Sequence, residues 1–325
     1  MTLVASSCTD VLDQMPTTED TSKDVYAEAA NYKRVLAKIY ASYVLAGQGQ
    51  GGDNGDLTSI NKQDFPRGYS NLQEAATDEV ANTWLSGNNL SDLTYISWDA
   101  KDSWVSDSYY WLFFNIALCN EFLRHCSDEE IARFSEAEQT EIRTFRSEAR
   151  FMRSFSYWMV LDLYRQGPKV DENTPVIGYI PEAYDGIGMF DFIESELKEL
   201  VAEGVSSALP ATNEYGRASK PVAWALLARL YLNSAVYRGN VDTKYYTECI
   251  TACKQVISNS AFYLEPEYAK LFNADNHKRT HEILFAMVCD ATTSVTWGGG
   301  TYIICGSCGN SSTQDPAKYG LSNGW

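Results

Sequence analysis

At 325 residues the chain is long enough for one large helical domain or two smaller ones, and hydrophobic residues, 45% of the total and spread along its length, exclude a disordered polymer. Its 43 acidic and 26 basic residues leave a formal net charge of −17, with no stretch that concentrates Lys or Arg. Phosphate backbones and anionic lipid head groups are repelled by such a surface, which argues against nucleic acid as a partner.

Residues 1–7, "MTLVASS", are short, apolar and rich in small side chains, like the remnant of a secretory signal peptide. Cys8 follows directly. Ser6 and Ser7 supply the small residues that a lipoprotein-processing peptidase needs before its cysteine, while Ala5 is smaller than the Leu more often found three positions ahead. The stretch after Cys8, "TDVLDQMPTTEDTSKD", is too polar and too broken by proline to bury a thiol, so lipidation of Cys8 is favoured over packing. Residues 8–23 then serve as a flexible tether. No run approaches the ~20 apolar residues of a membrane-spanning helix.

Residues 24–325 are expected to form one mainly α-helical domain. Val25, Ala29, Tyr32, Leu36, Ile39, Tyr40 and Tyr43 recur at three- and four-residue steps, which predicts a helix capped at Asp24 and stopped at Gly47. "GQGQGGDNGDLTSINKQDFPRG" reads as a long polar loop in which Asp53, Asn54 and Asp56 lack EF-hand spacing, and "NLQEAATDEVANTW" as a short helix. A second long helix is predicted over 106–126 with Tyr110, Phe113, Phe114, Ala117, Leu118 and Phe122 as its stripe. A third runs over 128–164, breaks near Phe134, and packs through Phe145, Ala149, Met152, Phe155, Met159 and Leu163; Gly167 and Pro168 end it. Further helices are predicted at 188–203, 220–237 and 243–258.

Two of these segments share a spacing: Ala149 with Arg153, and Ala225 with Arg229, each followed by aromatic and Leu positions. Small residues that admit a neighbouring helix, with aromatics filling the gaps, are the packing logic of tetratricopeptide helix pairs. Cys119 and Cys126 lie seven apart, and Cys249 and Cys253 four apart, each pair on one helix face. "CGSC" at 305–308 lacks the second pair of a zinc site and the strand-to-helix setting of a redox centre, so buried or incidental thiols are the default and no metal is expected.

The chain contains 21 Tyr and 8 Trp, many in polar surroundings, as in "NTWLSGNNLSDLTYISWDAKDSW". Such side chains pair a flat apolar face with a polar edge, and a sugar ring offers the same pairing from its own side. Trp84, Asn88, Asn89, Tyr95 and Trp98 in that loop, with Trp297 and Tyr302 in "SVTWGGGTYII", are the candidate ligand-binding residues: rings to stack, amides to bond hydroxyls. Taken singly, each of them serves equally well as a packing anchor for its loop.

"SSCTDVLDQMPTTED", the helix ending near "YVLAG", "EAATDEV", "WDAKDSWVSDSYYWLFFNIALCNEFL", "SEARFMRSFSYWMVLDLYRQGPKV" and "SKPVAWALLARLYLNSAVY" together resemble the SusD/RagB-like nutrient-binding lipoproteins of Bacteroidetes. The resembling stretches come in family order over most of residues 6–260. The resemblance implies tetratricopeptide-like helix pairs as a SusD-like α-helical scaffold with long irregular binding loops. It also implies a cell-surface lipoprotein, facing outward from the outer membrane and held to it only by lipid on Cys8. Such a protein captures oligosaccharide or polysaccharide without cleaving it, uses no cofactor, and works with a SusC-like TonB-dependent transporter. Family members continue well beyond this stretch, so the chain is expected to be their N-terminal portion.

Two other classes fit the residues less well. A glycoside hydrolase needs two carboxylates across a cleft, and no local motif selects a pair; His277 and His281 stand one helical turn apart in "HKRTHE" but lack the glutamate placement of HExxH. A tetratricopeptide-type scaffold that binds only protein predicts no exposed aromatic cluster.

Overall fold

The computed structural model describes residues 21–45, 47, 56–57, 65–80, 85–86, 89–273, 275–288 and 315–319. These fold into α-helices with a single two-stranded ribbon, the mainly α architecture expected. Helix α1 (Ser22–Val25) starts in a capping box: Thr21 Oγ1 accepts from the Asp24 backbone N–H at 3.3 Å, and the Asp24 carboxylate accepts from Thr21 N–H at 3.0 Å. Asp24 is thus the third residue of the helix and not its cap. The single helix expected from Asp24 to Gly47 is also two. The chain turns at Tyr26, whose ring stacks on His125 at 4.0 Å, and restarts as α2 (Ala29–Ala41).

Helix α3 (Phe65–Glu74) begins inside the segment read as a polar loop and covers only the first four residues of the "NLQEAATDEVANTW" stretch expected to be helical, with residues 75–80 non-helical. Phe65 and Gly68 are buried, and a Cβ on Gly68 would come within 2.9 Å of Ser108 Oγ, so this glycine lets α3 approach its neighbour closely. Asp56, expected in that polar loop, pairs with Lys38; Asp53 and Asn54 lie outside the described residues.

The short α4 (Ser91–Thr94) precedes α5 (Ser103–Arg124), which Asp102 caps by accepting from the N–H groups of Trp104 and Val105 at 2.8 and 3.2 Å. Its inner face is Trp111, Leu112, Ile116, Cys119 and Leu123 with Phe122, one position round from the predicted stripe; Tyr110 and Ala117 face solvent. The helix is apolar on several sides, so periodicity alone does not select the buried one. Helix α6 (Asp128–Ile131) and the 29-residue α7 (Glu136–Tyr164) are separated by the break expected near Phe134, where Ser135 and Glu138 form a second capping box. Arg165 in the left-handed region, φ 63°, ends α7 two residues before Gly167.

The chain then makes β1 (Gly167–Pro168) and β2 (Ala183–Tyr184), antiparallel, with Gly167 opposite Tyr184. Helices α8 (Gly186–Val201), α9 (Lys220–Leu232), α10 (Ser234–Arg238) and α11 (Thr243–Ile257) follow; the helix expected over 220–237 is interrupted at Asn233. Helix α5 packs on α7, α7 on α8, α8 on α9 and α9 on α11, with α2 laid across α5 and α7. One apolar core runs through these layers, and a smaller cluster of Ala75, Leu90, Leu93 and Trp104 sits under α4.

The shared Ala–Arg spacing does not produce equivalent sites. Arg153 is 2% exposed, whereas Arg229 lies at the surface over the Trp158 ring at 5.7 Å. Cys119 and Cys126 are buried free thiols, and burial pushes the Cys119 thiol up to about 12. Cys249 and Cys253 are free and half-buried. His277 and His281 do not share a helix: the first is in a 3-10 turn (Asn276–Lys278), and the second stacks on Tyr263 at 4.3 Å and faces Glu265 at 3.1 Å. No helix among the described residues is long and apolar enough to cross a membrane, and no group of three or more His, Cys, Asp or Glu among them is placed to hold a metal ion.

Candidate functional site

The candidate loop runs from the end of α3 to Asp102, and its centre is α4. Leu90 and Leu93 bury against Trp104 and Ala75, while Leu90 N–H donates to the Leu85 carbonyl at 2.9 Å, so this one helical turn is pinned from below. Arg67 on α3 lies over the Trp104 ring at 5.3 Å and closes the small cluster from the side.

Above that base the chain leaves α4 through a Schellman turn. Ser97 N–H donates to the Asp92 carbonyl at 2.8 Å and Ile96 N–H to the Leu93 carbonyl at 3.2 Å, which fixes Ile96 in the left-handed region at φ 57°. Glycine usually takes this position; a β-branched residue there costs of the order of 1–3 kcal/mol. The turn sets Tyr95 and Trp98 on either side of it, 70% and 43% exposed. Asn89, exposed and also left-handed at φ 53°, precedes α4. The result is two aromatic side chains held at the surface by a backbone with few alternatives, suited to stack on the apolar face of a ring-shaped polar ligand.

Of the residues expected to bind ligand, Asn89, Tyr95 and Trp98 are thus brought into one loop. Trp84, Asn88, Trp297 and Tyr302 lie outside the described residues, as do Cys8, Cys305 and Cys308. Two carboxyls are also near. Asp102 is buried and used as the α5 cap. Asp107, one turn further along α5, is pushed up to about 6 by burial and by the charge of Asp102. With Asp102 committed to two backbone N–H groups, the pair lacks the two free, facing carboxyls that glycosidic cleavage requires.

A second aromatic feature escaped the sequence reading. A groove of about 530 Å³ opens between α3, α7, α9 and residues 282–287, lined among others by Tyr69, Phe155, Trp158, Arg229, Phe285 and Met287. Phe151 stacks on Phe155 at 6.1 Å and Phe155 on Trp158 at 5.9 Å, a ladder along one face of α7. Its four- and three-residue steps are those of any core stripe, so only the position of the flanking chain makes it a groove. Arg229 and Glu282 are its charged lining residues. A ligand rich in hydroxyls finds few hydrogen-bonding partners there, and the α4 loop fits such a ligand better.

No family model matches the chain. It is 30% identical over 296 residues to the starch-binding protein SusD of Bacteroides thetaiotaomicron, a match that covers 90% of this chain and 50% of that protein. Among solved structures, surface glycan-binding protein A from Bacteroides fluxus superposes with a TM-score of 0.65 at 18% identity, over 92% of this chain and 59% of that one. A SusD-like protein from Bacteroides fragilis superposes with a TM-score of 0.59 at 20% identity, over 82% and 45%. The chain spans about half the length of the curated relative it matches. The stacked helix pairs and the match to SusD agree, and over the length that it shares with these relatives the chain is SusD-like in sequence and in fold.

Proposed function

We propose that this chain is the ligand-capturing part of a cell-surface lipoprotein that binds oligosaccharides or polysaccharides without cleaving them and passes them to a SusC-like TonB-dependent outer-membrane transporter. The observation that carries the reading is the α4 turn: Tyr95 and Trp98 stand exposed on a pinned, strained backbone, an arrangement that packing alone does not require. The names of two relatives, a starch-binding protein and a surface glycan-binding protein, support the same class of ligand. In this reading Trp84, Asn88, Asn89, Trp297 and Tyr302 complete the platform, and lipid on Cys8 with the 8–23 tether holds the protein at the outer membrane, facing outward.

Electrophoresis through gels containing starch or other polysaccharides, with an assay for released reducing sugar, tests the reading. Retardation without sugar release is the expected result; release makes the protein a hydrolase, and mobility unaffected by every polysaccharide makes it a protein-binding scaffold. Replacing Cys8 in the full-length precursor should abolish incorporation of labelled lipid, and label retained in the variant refutes the anchor.

A further inference from the structure

The groove between α3, α7, α9 and residues 282–287, about 530 Å³, is large enough for a compact organic ligand, and glycan capture at the α4 turn does not use it. Its floor is the aromatic ladder of α7. The ring planes of Phe151 and Phe155 lie within 11° of each other, and those of Phe155 and Trp158 within 19°. Phe285 meets Phe151 and Phe155 edge-on, at 5.7 and 6.1 Å with interplanar angles of 79° and 80°, and so stands as a wall across the ladder. Phe155 is half-buried where Phe151 and Trp158 are buried, which makes it the rung open to a guest. Parallel rings with a perpendicular neighbour suit a flat aromatic ligand, offset over one ring and edge-to-face with the other. A flexible aliphatic chain gains no such geometry and loses more rotational freedom on binding.

The groove also has a cationic end. Arg229, exposed on α9, holds its guanidinium 5.7 Å from the centre of the Trp158 ring, and among the described residues no carboxylate pairs with it. The acidic groups nearby are already engaged: Glu282 accepts from the Glu265 backbone N–H, and Asp162 accepts from Tyr237 Oη at 2.6 Å. Burial and the charge of Asp162 outweigh that of Arg229 and push the Tyr69 hydroxyl up to about 12, so near neutrality it keeps its proton and can donate. The net charge of −17 repels anions at long range, but salt screens that field beyond about 8 Å. At contact a guanidinium takes a carboxylate through two parallel N–H donors.

We infer that this groove binds an aromatic monocarboxylate, whose ring lies on Phe155 against Phe285 and whose carboxylate accepts from the Arg229 guanidinium and the Tyr69 hydroxyl. The site shares no residue with the α4 turn and does not depend on glycan capture there.

The test is isothermal titration of the full-length protein with naphthylacetate, and with naphthylethanol and octanoate, which lack in turn the charge and the ring. Naphthylacetate should bind at least about tenfold more tightly than either. Arg229→Gln, at an exposed position, should weaken naphthylacetate at least about tenfold, to the level of the alcohol. Ala225→Leu, which enlarges a lining residue of the groove, should remove the binding. Both variants should keep the wild-type melting temperature and the wild-type retardation in a polysaccharide gel; if Ala225→Leu does not fold, Arg229→Gln with the two control ligands decides alone. Equal affinity for acid and alcohol, or an Arg229→Gln variant that binds as the wild type does, removes the cationic end and overturns the assignment. Octanoate bound as tightly as naphthylacetate overturns the aromatic half of it. A folded Ala225→Leu variant with unchanged affinity places the ligand elsewhere, and a wild type that binds none of the three means that the full-length protein closes the groove itself; either result overturns the site.

Discussion

Arg153 Nη2 donates to Glu196 Oε2 at 2.9 Å inside a layer that leaves the arginine 2% exposed. The same guanidinium bonds Asn120 Oδ1 at 2.9 Å and pairs with Glu172, so one buried cation ties α5, α7, α8 and the base of the hairpin together. Removing it leaves Glu196 with Arg150 alone, and Asn120 and Glu172 without the cation they share. Arg153→Met is therefore expected to destabilise the fold by about 3–5 kcal/mol, read as the shift in urea midpoint multiplied by the slope. Arg153→Lys should also lose stability, because an ammonium cannot supply the forked donors that reach Asn120, Glu172 and Glu196 at once. A loss below about 1 kcal/mol in Arg153→Met would reduce this network to surface-like ion pairs.

The same pair gives the protein an acid limb. Burial pushes the Glu196 carboxyl up, but the hydrogen bond from Arg150 and the charges of Arg153 and Arg150 more than offset it, leaving the group below its ordinary value. A carboxyl depressed in the folded state contributes stability that is present above its unfolded pKa, about 4.3, and lost as pH falls through the folded pKa. Denaturation midpoints should hold near neutrality and fall steeply below about pH 4. Glu196→Gln should begin less stable and show a shallower acid limb; parallel limbs in the two proteins would assign the acid sensitivity to other groups.

Asp107 has the opposite sign. Burial and the neighbouring Asp102 raise its pKa to about 6, so the folded state favours the protonated form. Its contribution is fully present below the unfolded pKa, about 3.9, and is lost as pH rises through about 6. Asp107→Asn, uncharged at every pH, should be more stable than the wild type above pH 6 by about 1 kcal/mol, since water reaches the group and screens part of the effect. At pH 3 the two should coincide. An advantage of equal size at both pH values would trace the gain to packing and not to charge.

These groups show which parts of the molecule could be read from sequence. Helix existence and type follow from spacing, as the break near Phe134 and the run to Tyr164 show. Which face turns inward did not follow for α5, because Tyr110 and Trp111 are equally good core residues and only α2, α3 and α7 choose between them. The Ala149–Arg153 and Ala225–Arg229 spacings match, yet one arginine is buried among carboxylates and the other is exposed, since the partners come from distant segments. At the candidate site the aromatics were legible as Tyr and Trp in polar company. The left-handed Ile96 was not, because β-branched residues are the ones that local preference keeps out of that region.

Ile96 separates the fold of the turn from its surface chemistry, and supplies the last test. Glycine adopts φ 57° without the steric cost that isoleucine bears there, and the Ile96 side chain is mostly in water, so little packing is lost. Ile96→Gly should raise stability by about 1 kcal/mol. The hydrogen bonds from Ser97 and Ile96 to Asp92 and Leu93 hold the same turn in either case, so Tyr95 and Trp98 keep their places and retardation in the polysaccharide gel should be unchanged. Trp98→Ala leaves the backbone alone and removes a stacking surface. Its stability should stay within about 0.5 kcal/mol of the wild type, while its affinity for polysaccharide falls about tenfold. If Trp98→Ala binds as the wild type does and Ile96→Gly does not, the ligand is held by the shape of the strained turn and not by its aromatic faces, and the stacking platform is the wrong account of this loop.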